Sequence, residues 1–196
     1  MLKFTWSSTL LAIACAIIPQ TALALPGQSR AEVISWISSN PTLRPALGDG
    51  LSVRKFNTAA QRFSFEASVL PVSSLINITA NDVIRKEQIS FYDLVNGVTV
   101  SRLEESLRVI YGADIYFDYV QARVIYQYPT LAQIELSRRQ NLPLLSARQG
   151  ELRLGNRFAY WYEITAAEGN PAANGQITIF LREDLDRLEV EIRNRI

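Results

Sequence analysis

Histidine is absent from the chain, and its one cysteine, Cys15, lies within a leader-like N-terminus. Without histidine the Ser-His-Asp and Cys-His arrangements cannot be built, and without either residue further along an ordinary zinc site lacks its usual ligands. The motifs G-x-S-x-G, G-x-x-x-x-G-K-[ST] and G-x-G-x-x-G are missing as well. Typical hydrolases and nucleotide-dependent enzymes are therefore disfavoured, and no cofactor or metal is expected. Charge of one sign is also lacking: 20 basic residues face 19 acidic ones, and loss of Lys3 with the leader brings the two into balance. Nucleic acid and anionic membranes attract proteins through excess positive charge, so neither is an expected partner. Lysine is scarce, with only Lys55 and Lys86 beyond the leader, and arginine supplies the rest. Arginine's planar fork suits carboxylate recognition and stacking on aromatics, which fits a protein interface, although genomic base composition explains the bias equally well.

No long hydrophobic run is present. The apolar stretch Leu10 to Ile18 is only about half the ~20 residues that a spanning helix needs. With Lys3 before it and Ala22-Leu23-Ala24 after it, the segment reads as a bacterial-type export signal cleaved after Ala24. No integral span is expected after cleavage. Ala12-Ile13-Ala14-Cys15 loosely resembles a lipobox, but alanine replaces the usual leucine and the residues after Cys15 stay apolar. The expected product is a secreted or periplasmic protein, residues 25–196, forming one domain that buries roughly 70% of its unfolded surface without disulfides. Asn77-Ile78-Thr79 matches an N-glycosylation acceptor, which matters only in a eukaryotic host.

Ser29-Arg30-Ala31-Glu32 is a capping box for a helix over 30–39, stopped at Asn40-Pro41. Period-two alternation in Leu51–Phe56 and Arg62–Val69 predicts a hairpin, with a third strand over 85–93. Ser101-Arg102-Leu103-Glu104 predicts a second helix with Leu103, Leu107 and Ile110 inward and Gly112 at its end. Asp114–Tyr119 and Arg123–Tyr128 read as two strands; over 130–140 Thr130 and Gln133 suit a helix cap while Ile134-Glu135-Leu136 alternates as a strand does, and a helix is favoured. Strands follow over 157–165 and 176–182. The last segment alternates Leu188, Val190 and Ile192 with charged residues and favours a strand over an amphipathic helix on Leu185, Leu188, Ile192 and Ile196. The expected fold is α+β: antiparallel sheet with helices packed on one face, in two rounds of helix followed by β-meander. In the order of its elements it resembles the helix-then-sheet modules of the β-lactamase inhibitory proteins and of small outer-membrane assembly lipoproteins, a likeness of pattern that no motif carries.

Two acidic groups invite chemistry. Asp114 and Asp118, read as strand residues four apart, would stand about 13 Å from each other, beyond the separation of catalytic carboxylates. Glu183, Asp184 and Asp186 lack the glycine-punctuated pattern of calcium loops and read as a solvated turn. The aromatics of the second half remain. Alternation over Phe158–Ile164 sends Tyr160 and Tyr162 to one face and Trp161 to the other, exposed or covering a helix. Trp161, Arg157, Tyr116 and Tyr119 are the candidate binding residues. The expected function is a non-enzymatic exported protein that engages a protein or envelope component through an aromatic and arginine-bearing sheet face. The alternatives are a small-molecule or lipid carrier with an apolar cavity and, more remotely, a histidine-free carboxylate hydrolase.

Overall fold

The computed structural model describes residues 25–73, 82–166 and 171–195. The proposed leader and the Asn77 acceptor lie outside them. The first helix, α1 (Arg30–Ser39), is set by the expected capping box: Ser29 Oγ accepts from the Glu32 amide at 3.3 Å, while the Ser29 amide donates to Glu32 at 2.8 Å. It buries Val33, Trp36 and Ile37. A meander follows, formed by β1 (Ser52–Thr58), β2 (Gln61–Ser68) and β3 (Lys86–Asp93). The second helix, α2 (Val100–Tyr111), is capped by Thr99, whose hydroxyl accepts from the Arg102 amide at 3.2 Å. The box expected at Ser101 is not the cap, because Ser101 already lies inside the helix. Leu103, Leu107 and Ile110 point inward as expected.

Asp114–Tyr119 is not a strand. It lies within helix α3 (Ala113–Gln121), which Gly112 separates from α2 with a positive φ of 86°. Ile115 and Tyr119, four apart, share the buried face with Asp118, so helical spacing overrides the β-like aromatic content. Next come β4 (Arg123–Tyr128), α4 (Leu131–Gln140) with its Thr130–Gln133 capping box, and the short α5 (Pro143–Ala147). Then β5 (Arg148–Leu154), β6 (Ala159–Thr165) and β7 (Asn174–Phe180) complete the strands. The sequence reading passed over β5, whose Gly150 and interspersed charges hide any alternation. The final segment is α6 (Leu185–Arg195), burying Leu185, Leu188 and Ile192, and not the favoured strand. A pair between Glu189 and Arg193, 2.7 Å apart and four residues apart, braces its outer side.

The seven strands form one antiparallel sheet in the order β1-β2-β3-β7-β6-β5-β4. Two meanders are thus joined where β3 meets β7. One face carries Val53, Phe65, Ile89, Ile177, Ile179, Tyr160 and Tyr162 against residues of α1, α2 and α3. The opposite face carries Tyr126, Tyr128, Leu152, Ala159, Trp161 and Phe180 in a second core with Leu185, Leu188 and Ile192 of α6. Helices therefore cover both faces, and the expected one-sided arrangement is corrected: once 185–195 coils, its leucine stripe needs an apolar surface, and that surface is the far side of the sheet.

Candidate functional site

The α6 face changes character along its width. Following the register through one row gives Ser52, Glu66, Gln88, Thr178, Trp161, Leu152 and Tyr126. The next row reads Arg54, Ser64, Ser90, Gln176, Glu163, Gly150 and Tyr128. In each row the first four residues are polar or charged and the last include the rings and aliphatics under α6. The helix thus roofs the β6–β5–β4 half, and the β1–β2–β3 half lies open.

Arg54, Phe56, Arg62 and Tyr92 define this open half. Phe56 and Tyr92 are the register neighbours of Arg62 on either side, and the Arg62 guanidinium lies over the Tyr92 ring at 4.4 Å. Phe56 is 68% exposed. A desolvated apolar ring costs little to expose alone, but beside a stacked arginine it forms the mixed surface that interfaces use. Behind these residues Gln88 bonds Ser90 at 3.1 Å and Gln176 at 2.9 Å, which fixes the polar floor. A shallow depression of about 430 Å³ sits here, bounded by Arg54, Phe56, Arg62, Tyr92, Glu163 and Gln176.

The boundary with the roofed half is a hydrogen-bonded seam. Trp161 Nε1 donates to Tyr128 Oη at 2.9 Å, and Tyr128 donates onward to Glu163 at 2.7 Å. Arg195, from the end of α6, completes the chain at 3.0 Å from Glu163 and lies over the Trp161 ring at 5.4 Å. Gly150 is required for this seam because a Cβ there would run into the Tyr128 hydroxyl. Burial pushes the Tyr128 hydroxyl well above the usual phenol range, so it remains a donor at any physiological pH.

The structure does not bring the four sequence candidates together. Trp161 is buried beneath α6, on the side of the sheet opposite to Tyr119. Tyr119 is buried in the first core, donates to Glu104 at 3.0 Å and lies beneath the Arg153 guanidinium. Tyr116 is half-buried next to Phe117, and Arg157 is exposed on the β5–β6 turn. The residues of the open face were not among the candidates although their strands were identified: Arg54, Arg62 and Phe56 occupy outward positions of the hairpin, and alternation alone does not single out one such position from another.

Asp118 and Asp184, two of the acidic candidates, are tied into the fold. Asp118 accepts from the amides of Asn156 at 2.9 Å and Arg157 at 3.1 Å and from Tyr160 Oη at 2.7 Å, so its carboxylate ties α3 to the β5–β6 turn. Asp184 is buried, not solvated as expected, and takes two bonds from Arg85 at 2.7 and 3.2 Å. That contact is the main cause of the raised Arg85 pKa. Among the described residues no cluster of three potential metal ligands occurs, and no helix is long and apolar enough to cross a membrane. No protein-family model, curated protein or solved structure matches the chain.

Proposed function

We propose that this is an exported protein, released from its leader after Ala24, which binds a protein or envelope component without catalysis through the open half of its sheet. The observation that carries the reading is the partial roof: α6 buries one half of the face and leaves Arg54, Phe56, Arg62 and Tyr92 presented together on the other. Arginine and aromatic side chains are the residues that most often dominate interface energies, and here they stand on rigid paired strands, so little ordering opposes association.

In-cell photo-crosslinking tests this. A crosslinking residue at Phe56 or Tyr92 is expected to capture one abundant adduct, diminished by Arg62→Glu, while the same residue at Val190 on the outer side of α6 captures none. Equal labelling from all three positions, or adducts indifferent to Arg62→Glu, overturns the assignment.

The carrier alternative draws on a different place. An open cleft of about 980 Å³ lies between α4–α5 and the neighbouring strand ends, lined in part by Tyr128, Ile134, Leu144 and Tyr162. Native mass spectrometry showing a stoichiometric small molecule displaced by Leu144→Trp favours that reading.

A further inference from the structure

Strand β1 is the outer strand of the sheet at the open half, and its backbone pattern determines what can join it. The Ala67 amide donates to Leu51 O at 2.9 Å, so Leu51 and Ala67 form a hydrogen-bonded pair. In an antiparallel ladder such pairs alternate. Val53 and Lys55 therefore point their amides and carbonyls at β2, while Ser52, Arg54 and Phe56 point theirs away. The Ser52 amide is already used by Asp49 O at 3.0 Å. Among the described residues the amides and carbonyls of Arg54 and Phe56 have no backbone partner.

Two side chains of this strand, Arg54 and Lys55, are basic; Arg54 is exposed, and half-buried Lys55 also donates to Thr42 O at 3.0 Å. Arg54 lies on the open face, Lys55 on the other, and Arg44 and Arg62 stand nearby. A second copy pairing antiparallel through β1 and centred on Arg54 or Lys55 would set like charges across from each other, which is destabilising. An extended segment with acidic residues across from Arg54 and Lys55, and an apolar residue across from Phe56, meets complementary groups on both faces.

We infer that β1 accepts an acidic, extended polypeptide segment as an eighth strand, its backbone bonded to Arg54 and Phe56 and its carboxylates placed beside Arg54 and Lys55. This rests on the proposed binding role and names the partner's chemistry at the margin of the same face. Main-chain bonds supply affinity in such strand addition and the flanking side chains supply selectivity.

The test uses the protein from Leu25 to Ile196 and a capped peptide with two adjacent glutamates flanked by valine pairs; a counterpart carries lysines instead. Exchange of individual amides is followed by NMR. The glutamate peptide is expected to slow the Arg54 and Phe56 amides about tenfold, leaving Val53 and Lys55, already bonded, little changed. Arg54→Glu, on an exposed edge, should abolish this protection and admit the lysine peptide. Unchanged Arg54 and Phe56 amides at saturating peptide, equal protection by both peptides, or protection that rises with protein concentration alone each overturn the inference. If in-cell crosslinks from Tyr92 persist while these amides stay unprotected in the captured complex, strand addition fails and the binding face stands. Loss of the crosslinks with peptide protection retained has the opposite meaning.

Discussion

Glu87 is the second residue of β3, on the face covered by α1 and α2, and is paired with Ala67 of β2 and Ile179 of β7. It is fully buried, and neither its carboxyl oxygens nor the neighbouring Tyr111 hydroxyl makes a hydrogen bond of good geometry. Burial pushes its pKa up to about 8 from an ordinary 4.5, and Tyr111 offsets this only in part. The folded state thus holds a proton that the unfolded chain releases near its ordinary pKa. Stability is full at acid pH, falls between about 4.5 and 8 by up to roughly 1.4 kcal/mol per pH unit, and levels off above. Urea titrations across this range should show Glu87→Gln gaining on the wild type as pH rises; a difference independent of pH would exclude a buried acid as the cause. Asp93 behaves oppositely. Amide donation from the Asn96 turn, then Arg102, hold its carboxyl well below the usual range, so it remains ionised and anchors the end of β3 throughout. Glu87 was invisible as a core residue in the sequence because a glutamate at an inward position of an alternating strand looks like a register error. Its burial follows from strands on both sides and helices above.

Elements with one local signal were legible, and those needing a tertiary partner were not. The capping box at Ser29 fixed α1 and alternation fixed β1, β2 and β3, whereas over α4 the cap signal of Thr130 and Gln133 competed with the alternation of Ile134-Glu135-Leu136. Both α3 and α6 are rich in residues that favour strands, and each becomes helical because helical spacing gathers its apolar side chains, Ile115 with Tyr119 and Leu185 with Leu188 and Ile192, onto a waiting surface. The strand β5 shows the converse. Glu151 is buried in mid-sheet, where it takes Arg153 at 3.0 Å and Tyr162 Oη at 3.0 Å, a neutralisation that no pattern of alternation announces. Between elements, Asp118 is the main clasp of α3 to the β5–β6 turn. Asp118→Ala leaves the turn amides and Tyr160 unsatisfied, at a cost of about 1–3 kcal/mol in chemical denaturation. Faster exchange at Asn156 and Arg157 should accompany it. An unchanged midpoint would mean that solvent replaces the carboxylate and the clasp is dispensable.

At the scale of the molecule, the sheet has two cores on opposite faces, and each contains one tryptophan: Trp36, carried by α1, and Trp161 under α6. The stitch between β3 and β7 runs through seven residue pairs, and β7 itself places Ile177 and Ile179 in one core and Phe180 in the other. This predicts cooperative loss of both. In the protein from Leu25 to Ile196, without Trp6, Trp36→Phe and Trp161→Phe each leave a single tryptophan, and fluorescence-detected midpoints in urea should coincide once each is corrected for the stability lost to its substitution. Separate transitions would divide the chain into independently stable halves. An α+β fold with antiparallel sheet was legible from the alternation of helices and strands, but the second half was misread at 114–119, at β5 and at 185–195. The joining of the meanders through β3 and β7 was not legible, because a pairing between residues so distant in sequence leaves no local trace.

That joining also sets a timetable. A ribosome delivers β3 long before β7, so during synthesis a strand that is interior in the finished sheet is briefly its outermost strand, with a full row of amides and carbonyls waiting for residues 174–180. Any product truncated before Asn174 keeps that row bare permanently. The burden of preventing wrong partnerships therefore falls on the interval before residues 174–180 emerge, and a nascent chain held unfolded until its end arrives avoids the hazard altogether.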